Sequence, residues 1–227
     1  MRRPGRAQVV ALLLVAVLIL GWALLVRGKS EPTADYHPLS DGAWWAYSVE
    51  GAAFDSLVAR VSAAEDQPGS PGHLYIMEVL LPETDQIWHR AIYRVDDGGV
   101  MVEELAWEED GEEYVQAEPG YMLKTPLTEG RTWSWESGFV DSRGEVHDLL
   151  LRAEFTVEGR EDVEVPAGTF EDCLKVVRDN RYRRQGEWYR VRQVLWYAPG
   201  VGLVLEEHFA NGQLLGRCLL TDWNSSP

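Results

Sequence analysis

The sequence predicts an all-β antiparallel fold: a half-barrel or open barrel of two pseudo-repeated halves, preceded by one N-terminal transmembrane helix. Three observations carry this. After about residue 36 almost every segment reads as strand, a phrase near residue 40 recurs near residue 128, and residues 9–26 form an unbroken apolar run.

The apolar run Val9–Val26 follows Arg2, Arg3 and Arg6 and precedes Arg27 and Lys29. Eighteen helical residues rise roughly 27 Å, near the apolar thickness of a bilayer. Gly21-Trp22-Ala23 offers a signal-peptidase-like site, but the run continues through Leu24, Leu25 and Val26, which suits an uncleaved signal-anchor. No cysteine lies near it, which excludes a lipoprotein anchor. The arginines keep the N-terminus inside. The expected location is the bacterial cytoplasmic membrane, single-pass, with the domain on the extracytoplasmic side. The expected organisation is anchor 1–30, linker 31–35, β-domain 36–223 with halves of about 36–120 and 121–223, and tail 224–227.

Strand patterns follow in order. Trp45, Tyr47 and Val49 alternate with smaller or polar residues. Ser56–Ala64 has helical propensity, but its valines and its neighbours make it a strand. His73–Leu81, Ile87–Val95, Val100–Trp107 and Leu149–Val157 are β-branched or aromatic runs between turn residues. Asp110-Gly111 and Asn211-Gly212 are strong hairpin turns. Val165-Pro166-Ala167-Gly168 suits a type I turn and Ala198-Pro199-Gly200-Val201 a type II turn, with Gly200 at the position needing positive φ.

The recurring phrase is PLSDGAWWAY (38–47) and PLTEGRTWSW (126–135). A second match pairs Gly99–Glu104 (GVMVEE) with Gly202–Glu207 (GLVLEE), at an offset of 103 rather than 88. The second half has therefore gained about fifteen residues, for which 158–171 is the candidate. A strand unit of roughly ninety residues leaves one face apolar, and two such units facing each other bury it. Trp45/Tyr47 and Trp133/Trp135 stand two apart, so each pair projects from one strand face. These four are the candidate ligand-binding residues, as an aromatic platform for a lipid or other apolar ligand. The competing reading makes them core, where each buries ~150–250 Å².

Charge narrows the function classes. The net charge is −16, and leaving out the five basic anchor residues sets 16 Lys+Arg against 37 Asp+Glu, a net of −21. Such a surface repels phosphate backbones, so no nucleic-acid partner is expected. Seven positives concentrate in Lys175, Arg178, Arg181, Arg183, Arg184, Arg190 and Arg192. Cross-strand pairing with the protein's own carboxylates, for instance the run 103–113, accounts for them better than a lipid or partner contact.

No nucleophile elbow, zinc-protease, C-x-x-C or phosphate-loop motif occurs. The five histidines, His37, His73, His89, His147 and His208, show no metal-ligand spacing. Glu103-Glu104 and Glu206-Glu207 are adjacent on strands, so within each pair the side chains face opposite ways. No catalytic residue, metal or cofactor is assigned. Cys173 and Cys218 fall on strands of a predicted meander three strand spacings apart, roughly 14 Å, twice the Cα reach of a disulfide, so two free thiols are expected.

The phrases PLSDGAWWAY, PLTEGRTWSW, VPAGTFEDCLKV (165–176) and WYAPGVGLVLEE (196–207) resemble a family of uncharacterised exported bacterial proteins and lipoproteins carrying PLxxGxxWxY, VPAGTF and YAPGVG motifs. The resemblance covers most of residues 36–210. It implies an antiparallel half-barrel similar to the LolA/LolB-type carriers of lipoproteins. Those carriers cover the groove with helices, and no lid helix is evident in this chain. Family members often carry a lipobox cysteine where this chain has an apolar run. The family has no agreed catalytic residues to transfer. The expected function is a membrane-anchored, non-catalytic β-domain that binds a lipid or other apolar ligand on a concave sheet face. The alternative is a cell-envelope interaction or scaffolding module with a filled core, engaging an envelope protein partner.

Overall fold

The computed structural model describes residues 33–224 apart from 67, 68, 70, 110, 111, 142 and 185. The expected anchor Val9–Val26 and the turn at Asp110-Gly111 lie outside the described residues. Among the described residues, no helix is long and apolar enough to cross a membrane. Residues 32–227 cluster as one compact unit.

The first described element is a one-turn helix, α1 (Thr33–Tyr36), whose Thr33 and Tyr36 are buried. Thirteen strands follow: β1 (Trp44–Glu50), β2 (Ser56–Ala63), β3 (His73–Leu81), β4 (Gln86–Asp96), β5 (Gly99–Glu109), β6 (Glu112–Gln116) and β7 (Gly120–Lys124), then β8 (Thr132–Val140), β9 (Val146–Val165), β10 (Gly168–Arg184), β11 (Glu187–Ala198), β12 (Gly202–Ala210) and β13 (Gln213–Asn224). All pairings are antiparallel. Ser56–Ala63 is strand, as its valines imply. Asn211 and Gly212 both have positive φ (51° and 77°), the backbone that a type I′ hairpin requires. Gly200 has φ 71°, as its turn demands.

The half-barrel or open barrel expected from sequence is corrected to a closed one. β4 pairs β5 from Asp96↔Gly99 to His89↔Trp107, and β6 pairs β8 through Val115↔Val140 and Gln116↔Phe139. Twelve strands thereby form a ring, β1-β2-β3-β4-β5-β6-β8-β9-β10-β11-β12-β13, and β13 returns to β1. β7 is an extra strand paired to β5. Closure removes the unpaired edges that an open sheet would expose. Eight strands leave an interior just filled by side chains, so twelve leave room inside.

The two recurring phrases enter the barrel alike. Gly42 N donates to Val61 O and Val61 N to Ala43 O, while Gly130 N donates to Val157 O and Val157 N to Arg131 O. Further along, the register departs from the sequence match. Tyr93 pairs Val102, nine residues on, whereas Tyr197 pairs Leu203, only six on. This aligns Leu105, not Glu103, with Glu206. The extra length also lies elsewhere than expected. Tyr47 pairs Leu57, ten residues on, but Trp135 pairs Ala153, eighteen on, so eight residues enter at the β8–β9 hairpin. Val61 to Met77 against Val157 to Val176 adds only three in the 158–171 region.

The basic stretch resolves into two environments. Lys175 pairs with Glu161 (3.2 Å), Arg192 with Glu158 (3.1 Å), Arg190 with Asp179 (2.9 Å) and Arg183 with Asp148 (3.7 Å). The carboxylates come from β9 and β10 rather than from the run 103–113, because β10 lies between β9 and β11 in the sheet. Arg178 faces the interior instead. Cys173 and Cys218 are free. β10 to β13 form the meander that separates them.

Candidate functional site

A cavity of about 450 Å³ occupies the barrel interior. Two cross-strand rows contribute to its wall, the first along its whole length and the second through Arg178, Gln193 and His208. In an antiparallel sheet, residues opposite one another in register share a face. The first row runs Trp45–Ala59–Val79–His89–Trp107 across β1 to β5. The second runs Trp133–Phe155–Arg178–Gln193–His208 across β8 to β12. One step along, Val61–Met77–Ala91–Leu105 corresponds to Val157–Val176–Leu195–Glu206. Position by position, Val79 stands where Arg178 stands, Leu105 where Glu206 stands, and Trp107 where His208 stands. β3 and β10 are six places apart in the ring of twelve, as are β5 and β12. An apolar wall therefore faces a polar stripe.

The stripe is a hydrogen-bonded chain. Arg178 Nε donates to Asn180 Oδ1 at 2.8 Å, Asn180 Nδ2 to Gln193 Oε1, and Gln193 Nε2 to Glu206 Oε1 at 2.6 Å. His208 Nε2 lies 3.0 Å from the same Glu206 oxygen. Burial works to raise the Glu206 pKa, but the bond and charge of His208, aided by Arg178 and Gln193, hold it below the usual carboxylate value. For His208, burial opposes protonation, and the Glu206 bond and charge outweigh it, so its pKa is raised. Burial also lowers His37 and His89 to about 4 and pushes Tyr93 up to about 12. Both imidazoles are therefore neutral near pH 7.

Glu206, His208 and Cys218 bring their ligand atoms within 4.8 Å of one another. Glu206 and Cys218 are directly paired across β12 and β13, and His208 is two residues along. Carboxylate, imidazole and thiol together are a donor set suited to zinc-like ions. Two features oppose a cation there: the His208–Glu206 bond occupies two of the three donors, and Arg178 adds positive charge beside them. Burial further raises the Cys218 thiol to about 12, with Glu206 adding to the effect. Sequence reasoning missed this convergence. The signal was available in the i, i+2 spacing of Glu206 and His208, which places both on one strand face.

Of the four sequence-predicted aromatics, Trp45, Tyr47 and Trp135 line the cavity, and Trp133 does not appear in its wall. Trp45 is buried, and its Nε1 donates to Val201 O at 2.6 Å. Tyr47 is buried with its hydroxyl donating to Leu203 O at 2.9 Å. Trp133 is buried, stacks on Phe155 at 5.0 Å, and donates to Tyr121 O at 2.9 Å. Trp135 differs: its Nε1 is buried and has no hydrogen-bond partner. Its ring lies against the backbone of Gly120, where a Cβ would collide with the indole. The Arg178 guanidinium sits 5.7 Å from its ring centroid. His37 Nδ1 and Gln116 Oε1 are likewise buried without partners, and both residues line the cavity.

The two ends of the barrel differ. At one end α1 touches β5 and β12, on opposite sides of the ring, and Gly200 N donates to Asp35 O at 2.7 Å. At the other end stand the exposed large hydrophobics Ile87, Trp88, Val146, Trp188, Tyr189, Leu214 and Leu215. Each falls within the first three residues of β4, β9, β11 or β13, all of which begin at that rim. Trp88 both lines the cavity and is 45% exposed, so the cavity reaches the rim beside it.

A family model described as DUF3108-like matches residues 153–220, the strands that carry the polar stripe. Among solved structures, the chain is similar to a predicted lipoprotein from Parabacteroides distasonis, at 16% identity and a TM-score of 0.52, over 82% of this chain and 96% of that one. It is also similar to a predicted exported protein with a YmcC-like fold from Bacteroides fragilis, at 18% identity and a TM-score of 0.40, over 82% and 97%. No curated protein matches.

Proposed function

We propose that this chain is a non-catalytic, extracytoplasmic binding barrel that holds a lipid or similar amphiphile in its interior. The observation that carries this reading is the cavity of about 450 Å³ inside a closed barrel, its wall apolar on one side and polar on the other. That volume falls within the range of small-molecule sites. Trp45, Tyr47 and Trp135 belong to its aromatic lining, and the rim around Trp88 is where an apolar ligand enters. The apolar run Val9–Val26, read as an uncleaved anchor, supports a location outside the cytoplasmic membrane, and the name of the structural relative, a predicted lipoprotein, agrees with export. The barrel is a duplication of one six-strand unit, supported by the matching entries at Gly42 and Gly130 and by the aligned rows. The relation to LolA/LolB-type carriers is one of task, with a closed barrel in place of a groove and lid.

A second reading, a module that engages an envelope protein partner, is favoured by the apolar rim alone. Native mass spectrometry of the full-length chain, released gently from membranes of the producing cell, separates the two. A co-purified small amphiphile is expected. Ligand-free protein whose rim cross-links to a single envelope protein through a photoreactive residue at Trp188 would replace the first reading with the second.

A further inference from the structure

Resting on that reading, we infer that the ligand is a single-chain amphiphile with a carboxylate head, and that Arg178 and Trp135 bind the head.

Arg178 lines the cavity, and its described contacts are one hydrogen bond, from Nε to Asn180, and the faces of Trp135 and Phe155 at 5.7 and 5.5 Å. Among the described residues no carboxylate forms an ion pair with it. The nearest acidic group along the chain of hydrogen bonds, Glu206, is already engaged by His208 and Gln193. A guanidinium carries five donors in a planar fork and no acceptor. Beside it the Trp135 indole presents a buried donor with no partner. The guanidinium lies 5.7 Å from the centroid of that ring, and an acceptor with two oxygens and a negative charge suits both groups, since a carboxylate meets a guanidinium edge in that geometry. A cation removed from water without a counter-ion is costly. In a chain of net charge −16, a neutralising carboxylate from the protein would have been easy to supply.

The rest of the cavity selects the tail. Opposite Arg178 stands Val79, and opposite the Glu206–His208 pair stand Leu105 and Trp107. This wall offers apolar surface to an alkyl chain. A water-sized group occupies ~30 Å³, and a methylene is of similar size, so the 450 Å³ cavity holds on the order of fifteen heavy atoms. One acyl chain fits this space.

The test titrates purified full-length chain with dodecanoate, dodecanol and dodecyltrimethylammonium, reading tryptophan fluorescence and calorimetric heat. Dodecanoate is expected to bind at least tenfold more tightly than dodecanol, and dodecyltrimethylammonium more weakly than either. Acetate at millimolar concentration should not compete, since a free carboxylate lacks the tail. Arg178→Met should abolish the preference for dodecanoate while leaving dodecanol affinity within about threefold. Trp135→Phe, which keeps the ring and removes only the N–H, should reduce dodecanoate affinity several-fold and leave dodecanol unchanged, and it serves if Arg178→Met fails to fold. Equal affinity for dodecanoate and dodecanol, or a preference that survives both substitutions, would overturn the head assignment while leaving the binding barrel intact. Failure of all three amphiphiles to bind would overturn the binding reading itself, and this inference with it.

Discussion

The two halves of the barrel place different side chains at aligned positions, and the difference locates the chemistry. In the row from β1 to β5, Val79, His89 and Trp107 hold the places that Arg178, Gln193 and His208 hold in the row from β8 to β12. The entry pairs differ in a parallel way. Trp45 and Tyr47 both give their hydrogen bonds to the β12 end of the chain, at Val201 and Leu203. Trp133 does the same with Tyr121, but Trp135 keeps an unpartnered N–H beside Arg178. A residue whose polar group is satisfied by the backbone serves the fold. One whose polar group has no partner within the protein does not: Trp135 stands so in the second half, and His37 and Gln116 in the first, while the charged stripe of Arg178, Glu206 and His208 belongs to the second half alone.

The strongest way to break the comparison is to truncate the aligned indoles, Trp45 and Trp133. Each is buried, at 2% and 8% exposure, and each donates to a backbone carbonyl. Trp45→Ala and Trp133→Ala are each expected to cost about 3–5 kcal/mol by denaturant unfolding. A cost for Trp133→Ala below about 1 kcal/mol would mean that the two positions are not equivalent in packing.

A smaller effect comes from acid. His37 and His89 have folded pKa values near 4 against an ordinary 6.5. Below pH 6.5 the unfolded chain takes up protons that the folded chain refuses, so stability falls as pH falls, and the loss levels off below about pH 4. His208 has the opposite sign. Its raised pKa contributes stability that is fully present below pH 6.5 and is lost as pH rises through the folded value. Between pH 7 and 5, each neutral imidazole therefore costs about 2 kcal/mol of stability. His89→Gln gives the first half the residue that its aligned position, Gln193, has in the second. That variant should lose about 2 kcal/mol less stability than the parent over this pH interval, measured by denaturant midpoints at the two pH values. An unchanged pH slope would remove His89 from the account.

The strands and turns were legible because they depend on local chemistry: β-branched alternation at Val100–Trp107, the positive φ at Gly200, and Asn211-Gly212. The pairs at 45/47 and 133/135 were legible because spacing by two puts side chains on one face. Closure was not, because β4–β5 continuity around the ring and the two-residue β6–β8 seam depend on where distant strands meet. Arg178 and Glu206 were missed for a related reason. A charged residue in an alternating strand reads as solvent-facing, and only register shows that Arg178 continues the inward face of Val176. The match of GVMVEE with GLVLEE misled in the same way, since the hairpin after Tyr93 is three residues longer than the one after Tyr197 and slides the phrases out of alignment.

The smallest effect sharpens the comparison most, because it separates fold from function at one aligned position. Tyr47 and Trp135 occupy equivalent places, opposite Leu57 and Ala153. Tyr47→Phe removes the hydroxyl that donates to Leu203 O and should cost about 1 kcal/mol, the net worth of an ordinary hydrogen bond. Trp135→Phe removes a donor that has no partner within the protein, which relieves a buried unsatisfied group worth about 1–3 kcal/mol. Shrinking the ring offsets that gain by a similar amount, since it leaves part of the contact with Gly120 unfilled. The net change in unfolding free energy should therefore lie near zero, below that of Tyr47→Phe, although indole is the larger group. Side-by-side denaturant melts of the two variants measure this ordering. A Trp135→Phe loss exceeding that of Tyr47→Phe would mean that the indole N–H is satisfied in the folded protein, and Trp135 would then belong with Trp45 and Trp133 as part of the frame.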